Sequence, residues 1–308
     1  MSVPYAKVIV NPVAGANATR RRWPRISRLL KKVGLSFDYQ YTEGVGHAIE
    51  IAREAAGYGY RYLVAVGGDG TTNEVANGII DSTGDGSIAL GVVSTGTGSD
   101  FARSLGISRH YINACSSLVN CNTVLIDVGV VEYQHDGQTL RRFFINSAGI
   151  GFDAAAVQTT ERLPKYFGGT LPYLIGLLRT LAGYRNQSVV ITADDRVETA
   201  RILSVVVANG GYFGGGMHVA PEASLSDNLL DLVVFGDVSK FDLLKSLPMV
   251  YKGTHGQHPK VRIGKADRVT IEASEESSEH ILVQADGELL GEGPVSFSLV
   301  PAKLNVIV

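Results

Sequence analysis

Carboxylates set among glycines are the residues of this sequence best suited to chemistry. The strand-length apolar run Tyr62–Val66 stops at Gly67-Gly68-Asp69-Gly70-Thr71-Thr72-Asn73-Glu74. Thr71 and Glu74 have the T-x-x-E spacing of a capping box, which predicts that a helix starts here. The loop then lies between the C-terminal end of a buried strand and a helix N-terminus, where open α/β sheets bind ligands. Glycines let the backbone approach a phosphate, and free helix N–H groups favour an anion. A carboxylate repels phosphate, so Asp69 makes sense there if it holds a magnesium ion shared with the phosphates or accepts a hydroxyl proton. A plain strand-to-helix turn capped by the aspartate is the alternative. No Gly-Lys-Ser/Thr follows, and the spacing is not G-x-G-x-x-G, so neither a Walker A loop nor a dinucleotide fingerprint is present.

Three further acidic groups stand in comparable settings. The run Ala89–Val93 ends in Ser94-Thr95-Gly96-Thr97-Gly98-Ser99-Asp100, a second small-residue loop carrying an aspartate. Asp286-Gly287-Glu288 places two carboxylates two residues apart at a strand end, where they can share a side. Asp-Gly is also the commonest hairpin signal, and in isolation it reads as one. Asp227, in Ser226-Asp227-Asn228, reads as a turn residue. His218, after Gly214-Gly215-Gly216, reads as structural.

The elements that must position these groups fall into two textures. Up to about residue 125 the pattern alternates strand and helix. Predicted strands are Ala6–Val10, Phe37–Tyr41, Tyr62–Val66 and Ala89–Val93, with helices between them, which predicts a doubly wound, mostly parallel sheet. The first strand ends in Asn11-Pro12-Val13-Ala14-Gly15, a turn able to line a nucleotide pocket or to serve as an ordinary βα connection. Arg20, Arg21, Arg22, Arg25, Arg28, Lys31 and Lys32 alternate with Trp23, Ile26, Leu29 and Leu30 at helical spacing. That makes an amphipathic basic helix, read as a solvated face or as a membrane-surface patch.

Beyond residue 125, short β-branched runs separated by turns predict an antiparallel sandwich. Helical inserts are expected at Tyr173–Tyr184 and Lys240–Tyr251, and the apolar tail Leu304–Val308 is a candidate strand for the first half. The expected domains are therefore 1–125 with 301–308, and 126–300.

The chain has 308 residues, 45% of them hydrophobic, which suffices for one large core or two moderate ones. Formal net charge is −2, so no global field draws in nucleic acid. Two cysteines, Cys115 and Cys121, make no disulfide framework, and a reduced cytoplasmic setting is the simplest expectation. The first residues lack a basic segment followed by an apolar core, so no secretory signal is expected. No apolar stretch reaches the roughly 20 residues of a spanning helix.

Taken in order, these motifs resemble the bacterial lipid kinases related to diacylglycerol kinase, which share a catalytic domain with sphingosine kinases. The resemblance rests on Val10-Asn11-Pro12 with Gly15, on Gly67 to Glu74, on Gly96-Thr97 with Asp100 to Arg103, on Asn146 to Phe152, on Asn209 to Pro221, on Asp227 to Leu232, and on Asp286-Gly287-Glu288. It spans nearly the whole chain. It implies an NAD-kinase/phosphofructokinase-like α/β domain, a β-sandwich-like domain, and ATP bound in the cleft between them. Asn11, Gly15, Thr42, Gly67, Gly68, Asp69, Gly70, Thr71, Thr72, Asn73 and Thr97 are implied ATP contacts. Glu288 is the implied proton acceptor, with Asp286, Asp69 and Asp100 in the active centre. Asp227 and the backbone carbonyls of Ser224 and Leu229 are implied ligands of a structural Mg²⁺. A lipid substrate implies peripheral contact with a membrane surface when the enzyme is active. The helix Tyr173–Tyr184, preceded by Lys165, Tyr166 and Phe167, is a candidate lip for the lipid, or an ordinary packed helix. Oligomeric state is left open, a homodimer included.

Two departures stand out. The family carries Asn before the aspartate where this chain has Ser99, and Pro before Gly-Thr where it has Ser94-Thr95. An NAD-kinase-like enzyme and a non-catalytic nucleotide-binding regulator are the alternatives.

Overall fold

A computed structural model of the chain describes residues 5–82, 86–120, 122–161, 171–275 and 280–308. The chain divides into two compact units, residues 1–128 with 301–308, and residues 129–300.

The first unit is an α/β layer structure. Its elements run β1 (Ala6–Val10), α1 (Ala14–Lys32), β2 (Phe37–Tyr41), α2 (His47–Gly57), β3 (Tyr62–Gly67), α3 (Asp69–Ser82), β4 (Ala89–Ser94), α4 (Asp100–Ser104), α5 (Tyr111–Ser117) and the first part of β5 (Thr123–His135). The strands pair in parallel in the order β4-β3-β1-β2. Beside β4, Asn305 and Val306 of the final strand add in parallel. Val8, Val10, Val64, Val66 and Val93 are buried against Trp23, Ile26 and Leu30 of α1. Strands covered on both faces read as continuous apolar runs, which is why they stood out in the sequence. The cationic residues of α1 lie on its exposed face.

The second unit is antiparallel. It contains the end of β5, then β6 (Gln138–Phe144), β7 (Ser147–Gly151), α6 (Phe152–Glu161), α7 (Leu171–Gly183), β8 (Gln187–Ala193), β9 (Arg196–Ile202), β10 (Ser204–Ala208), β11 (Leu230–Phe235), α8 (Lys240–Lys252), β12 (Val261–Ala266), β13 (Arg268–Ala273), β14 (Leu282–Ala285) and most of β15 (Glu288–Ile307). One strand path runs β12-β11-β10-β7-β14-β15, and β15 also pairs with β13, which leads to β8 and β9. Val189, Ile191, Val205, Val207, Val283 and Phe297 fill the core between these strands.

Several local expectations are corrected. Helix α3 starts at Asp69, and Thr71 lies inside it. Glu74 makes no capping box; its Oε2 accepts the N–H of Ala48, 3.1 Å away, in the first turn of α2. Helix α6 follows β7 where the sequence pattern predicts no helical insert. Lys165, Tyr166, Phe167 and Cys121 lie outside the described residues.

Candidate functional site

In the first unit, three loops meet at the C-terminal ends of β1, β3 and β4. The N–H of Asn11 donates to Val66 O at 3.0 Å, and its Nδ2 donates to Thr71 Oγ1 at 2.9 Å. The chain then passes through three left-handed residues, Gly15, Ala16 and Asn17, with φ of 60°, 54° and 65°. A Cβ on Gly15 would lie 2.6 Å from Thr95 O, so only glycine fits there. Thr19 Oγ1 meets Thr95 Oγ1 at 2.5 Å, and the N–H groups of Thr95 and Gly96 converge on Gly67 O at 2.7 and 3.2 Å. Thr71, Thr72 and Asn73 are buried in the first turn of α3. Thr42 is buried at the end of β2, its N–H on Val10 O. Thr97 is exposed in the β4–α4 loop.

Asp69 and Asp100 converge on this loop cluster. Asp69 Oδ1 accepts the N–H of Phe101 at 3.2 Å, in the first turn of α4. A Cβ built on Gly98 would lie 2.8 Å from Asp69 Oδ2 and 3.5 Å from Asp100 Oδ2. Two carboxylates thus border one glycine-sized space beside the N-terminus of α3. Paired hard oxygen donors of this kind fit a Mg²⁺ that also takes phosphate oxygens. Ser99, which precedes Asp100, has φ of 56° and shares a hydrogen bond of 2.6 Å with Ser94 Oγ. The two departures from the family pattern therefore touch each other.

In the second unit, the Asp286-Gly287-Glu288 turn faces the β6–β7 connection. Asp286, at φ 48°, accepts three backbone N–H groups: Ile145 at 2.8 Å, Asn146 at 3.0 Å and Ser147 at 2.9 Å. Such a carboxylate anchors the turn to the β6–β7 connection. Glu288 Oε2 instead pairs with Arg142 Nη2 at 2.8 Å, with 36% of its side chain exposed. Asn146 and Asn209 are buried nearby, and Asn209 donates through N to Asn146 O and through Nδ2 to Ile145 O.

Asp227 sits in the loop before β11. Its Oδ1 accepts the N–H of Leu229 at 3.2 Å, and its Oδ2 receives the ammonium of Lys265 at 2.8 Å. Among the described residues no group of three or more His, Cys, Asp or Glu side chains gathers as metal ligands. With an ammonium already on the carboxylate, the residues here do not fit the Mg²⁺ that the family resemblance implied for Asp227, Ser224 and Leu229. His218 stacks on Tyr212, ring centroids 4.3 Å apart, and burial lowers its pKa.

Sequence reasoning missed Asp153, one residue past the Asn146–Phe152 motif. It borders an apolar cavity of about 80 Å³ that is walled by Phe152, Leu181, Val206, Met217, Phe235 and Leu247. Ser204 and Gln284 donate to its two oxygens at 2.9 and 3.0 Å. Burial among these walls pushes the carboxyl up to about 6, against the pull of those hydrogen bonds. The only sequence signal is an aspartate following an apolar strand and opening a helix.

A parallel α/β unit with glycine loops at its strand ends, followed by an antiparallel unit, is the architecture shared by diacylglycerol kinases and NAD kinases. The diacylglycerol kinase catalytic domain family matches residues 5–131, and the YegS C-terminal NAD kinase beta sandwich-like domain family matches residues 146–308. The chain is 29% identical over 303 residues to a diacylglycerol kinase of Bacillus subtilis (strain 168), covering 98% of this chain and 95% of that one. It is 29% identical over 293 residues to a diacylglycerol kinase of Staphylococcus carnosus (strain TM300), covering 95% and 91%. A crystal structure of a diacylglycerol kinase from Bacillus anthracis str. Sterne superposes with a TM-score of 0.72 at 22% identity, covering 100% of this chain and 97% of that one. Yeast NADH kinase in complex with NADH shares the fold at a TM-score of 0.52 and 8% identity, covering 99% and 83%. The chain belongs to the diacylglycerol kinase-like lipid kinase family.

Proposed function

We propose that this protein is an ATP-dependent kinase that transfers the γ-phosphoryl group to a hydroxyl of diacylglycerol or a related lipid. The observation that carries the proposal is the pair Asp69 and Asp100 around Gly98, next to a glycine loop that opens a helix. Phosphoryl transfer is mostly positioning and charge neutralisation, and that loop cluster supports both. We assign Asn11, Gly15, Thr42, the Gly67–Asn73 loop and Thr97 to the nucleotide. Asp69 and Asp100 would hold a Mg²⁺ that neutralises phosphate charge.

A lipid hydroxyl has a pKa far above neutral, so a carboxylate must take its proton as the new P–O bond forms. We assign that proton transfer to Glu288, which lies exposed enough to reach a substrate and is oriented by Arg142. Asp286 holds the turn that carries Glu288, through its three amide contacts. The apolar cavity beside Asp153 suits part of an acyl chain. The exposed basic face of α1 suits the anionic surface from which such a lipid is drawn. No helix among the described residues is long and apolar enough to cross a membrane.

The test is transfer of label from [γ-³²P]ATP to a panel of lipids in mixed micelles, with NAD as a competing acceptor. Label is expected in a lipid, diacylglycerol foremost. Label in NAD alone, or in no acceptor, overturns the proposal. In the same assay Glu288→Gln should lower kcat by about 10²–10⁴. A variant turning over near the wild-type rate removes Glu288 as the base.

A further inference from the structure

Lys265 occupies an unusual position in the second unit. Residues Asp231 of β11 and Lys265 of β12 are direct cross-strand partners in the antiparallel register. The ammonium of Lys265 reaches three oxygens: Asp227 Oδ2 at 2.8 Å, Asp231 Oδ2 at 2.9 Å and the backbone carbonyl of Glu222 at 3.2 Å. An ammonium has three N–H donors, so all three are committed. Asp231 is only 1% exposed, while Lys265 and Asp227 keep 30% of their side chains exposed. Burial works against the charged lysine, but the two carboxylates outweigh it and hold the ammonium above its ordinary range.

These contacts tie the loop Glu222–Leu229 to the antiparallel β11–β12 pair. A compact cation on a carboxylate, joined by a backbone carbonyl, is the arrangement of a structural metal. Here the cation is covalently part of the chain. A divalent ion brought to Asp227 Oδ2 would sit against the ammonium and be repelled by it.

We propose that Lys265 replaces the structural divalent cation at Asp227, so that the loop before β11 is pinned by an internal ammonium and needs no metal. The proposal is independent of the phosphoryl-transfer assignment, because it is read by unfolding rather than by turnover.

The experiment is thermal unfolding of the full chain in EDTA and in millimolar MgCl₂, with Tb³⁺ luminescence as a direct probe of metal binding. Wild type, Lys265→Met, Asp227→Asn and the double variant are compared. For the wild type, Mg²⁺ should shift Tm no more than it shifts Asp227→Asn, since any remaining shift belongs to other sites. In EDTA, Lys265→Met should lose about 5 °C of Tm. That loss should be recovered in Mg²⁺ and should be accompanied by a Tb³⁺ signal that the double variant lacks. If Lys265→Met does not fold, the wild type decides through its own Tb³⁺ titration against Asp227→Asn. A Mg²⁺ stabilisation or Tb³⁺ signal of the wild type that Asp227→Asn abolishes overturns the proposal. So does a Lys265→Met variant as stable as wild type in EDTA.

Discussion

Each unit of the molecule brings two aspartates together, and what lies beside each pair differs. Asp69 and Asp100 flank Gly98, which leaves a glycine-sized space between carboxylate oxygens. Asp227 and Asp231 flank the ammonium of Lys265. The first arrangement is the one we propose for Mg²⁺ and phosphate. The second carries its cation already, and like a buried ion pair it is strongly destabilised when one partner is removed. What sets the two pairs apart is the group beside each, which neither aspartate's local sequence discloses.

The contrast is sharpest if one aspartate of each pair is changed. In the first unit, Asp100→Asn should lower kcat/KM by about 10²–10³, the loss typical of removing one preorganised electrostatic group. Its urea midpoint should move little. In the second unit, Asp227→Asn should show the opposite emphasis, lowering the urea midpoint because Lys265 loses a partner. Equal unfolding losses in both variants would erase the distinction.

Gly98→Ala comes next. The added methyl would stand 2.8 Å from Asp69 Oδ2, so it must push that carboxylate or the loop aside. Displacement on that scale near reacting groups costs about 10²-fold in kcat. The check is steady-state kinetics with Mg²⁺ varied at saturating ATP. An alanine variant with wild-type kinetics would mean the space beside Gly98 is not used.

Asp153, beside the apolar cavity, takes its hydrogen bonds from the neutral Ser204 and Gln284. Its environment favours the protonated form and lifts its pKa from the ordinary 3.8 to about 6. A raised pKa contributes stability that is fully present below pH ~4 and is lost as pH rises through ~6. The swing is on the order of 3 kcal/mol. Asp153→Asn removes the titrating group, so the difference in unfolding free energy between variant and wild type should grow in favour of the variant across that window. Parallel urea curves at pH 4 and pH 7 would show that Asp153 is not titrating there.

Much of the first unit is legible because β1, β3 and β4 are buried on both faces. Runs such as Tyr62-Leu63-Val64-Ala65-Val66 ending in glycine signal parallel strands with loops at their C-terminal ends. The antiparallel half was legible by texture but not by element. β9, Arg196–Ile202, is mostly exposed and carries no apolar run, and α6 shows no clear apolar stripe. Glu74 looked like a capping residue because its partner, Ala48, is 26 positions away. Lys265 in Arg262-Ile263-Gly264-Lys265-Ala266 reads as one more exposed cation. Only the register of β11 against β12 sets it opposite Asp231. Asp286 is held by three amides from residues 145–147, contacts made across about 140 positions that the local Asp-Gly-Glu sequence does not disclose.

The smallest expected effect concerns Ser99, the position beside the first aspartate pair where the family carries asparagine. Its φ of 56° lies in the left-handed region, where asparagine is among the best tolerated non-glycine residues and serine is less favoured. Backbone preference alone therefore makes Ser99→Asn mildly stabilising. Against that, the variant exchanges the short Ser94–Ser99 hydroxyl contact for a larger carboxamide in a buried place. A neutral hydrogen bond contributes about 1 kcal/mol, comparable to the conformational gain. The two terms nearly cancel, and a net change within about 1 kcal/mol is expected by urea unfolding. Pairing Ser99→Asn with Ser94→Ala separates them, since removing the Ser94 hydroxyl should then cost less than it does in the wild type. If the two substitutions instead add independently, the serine pair contributes nothing to holding Asp100 beside Asp69.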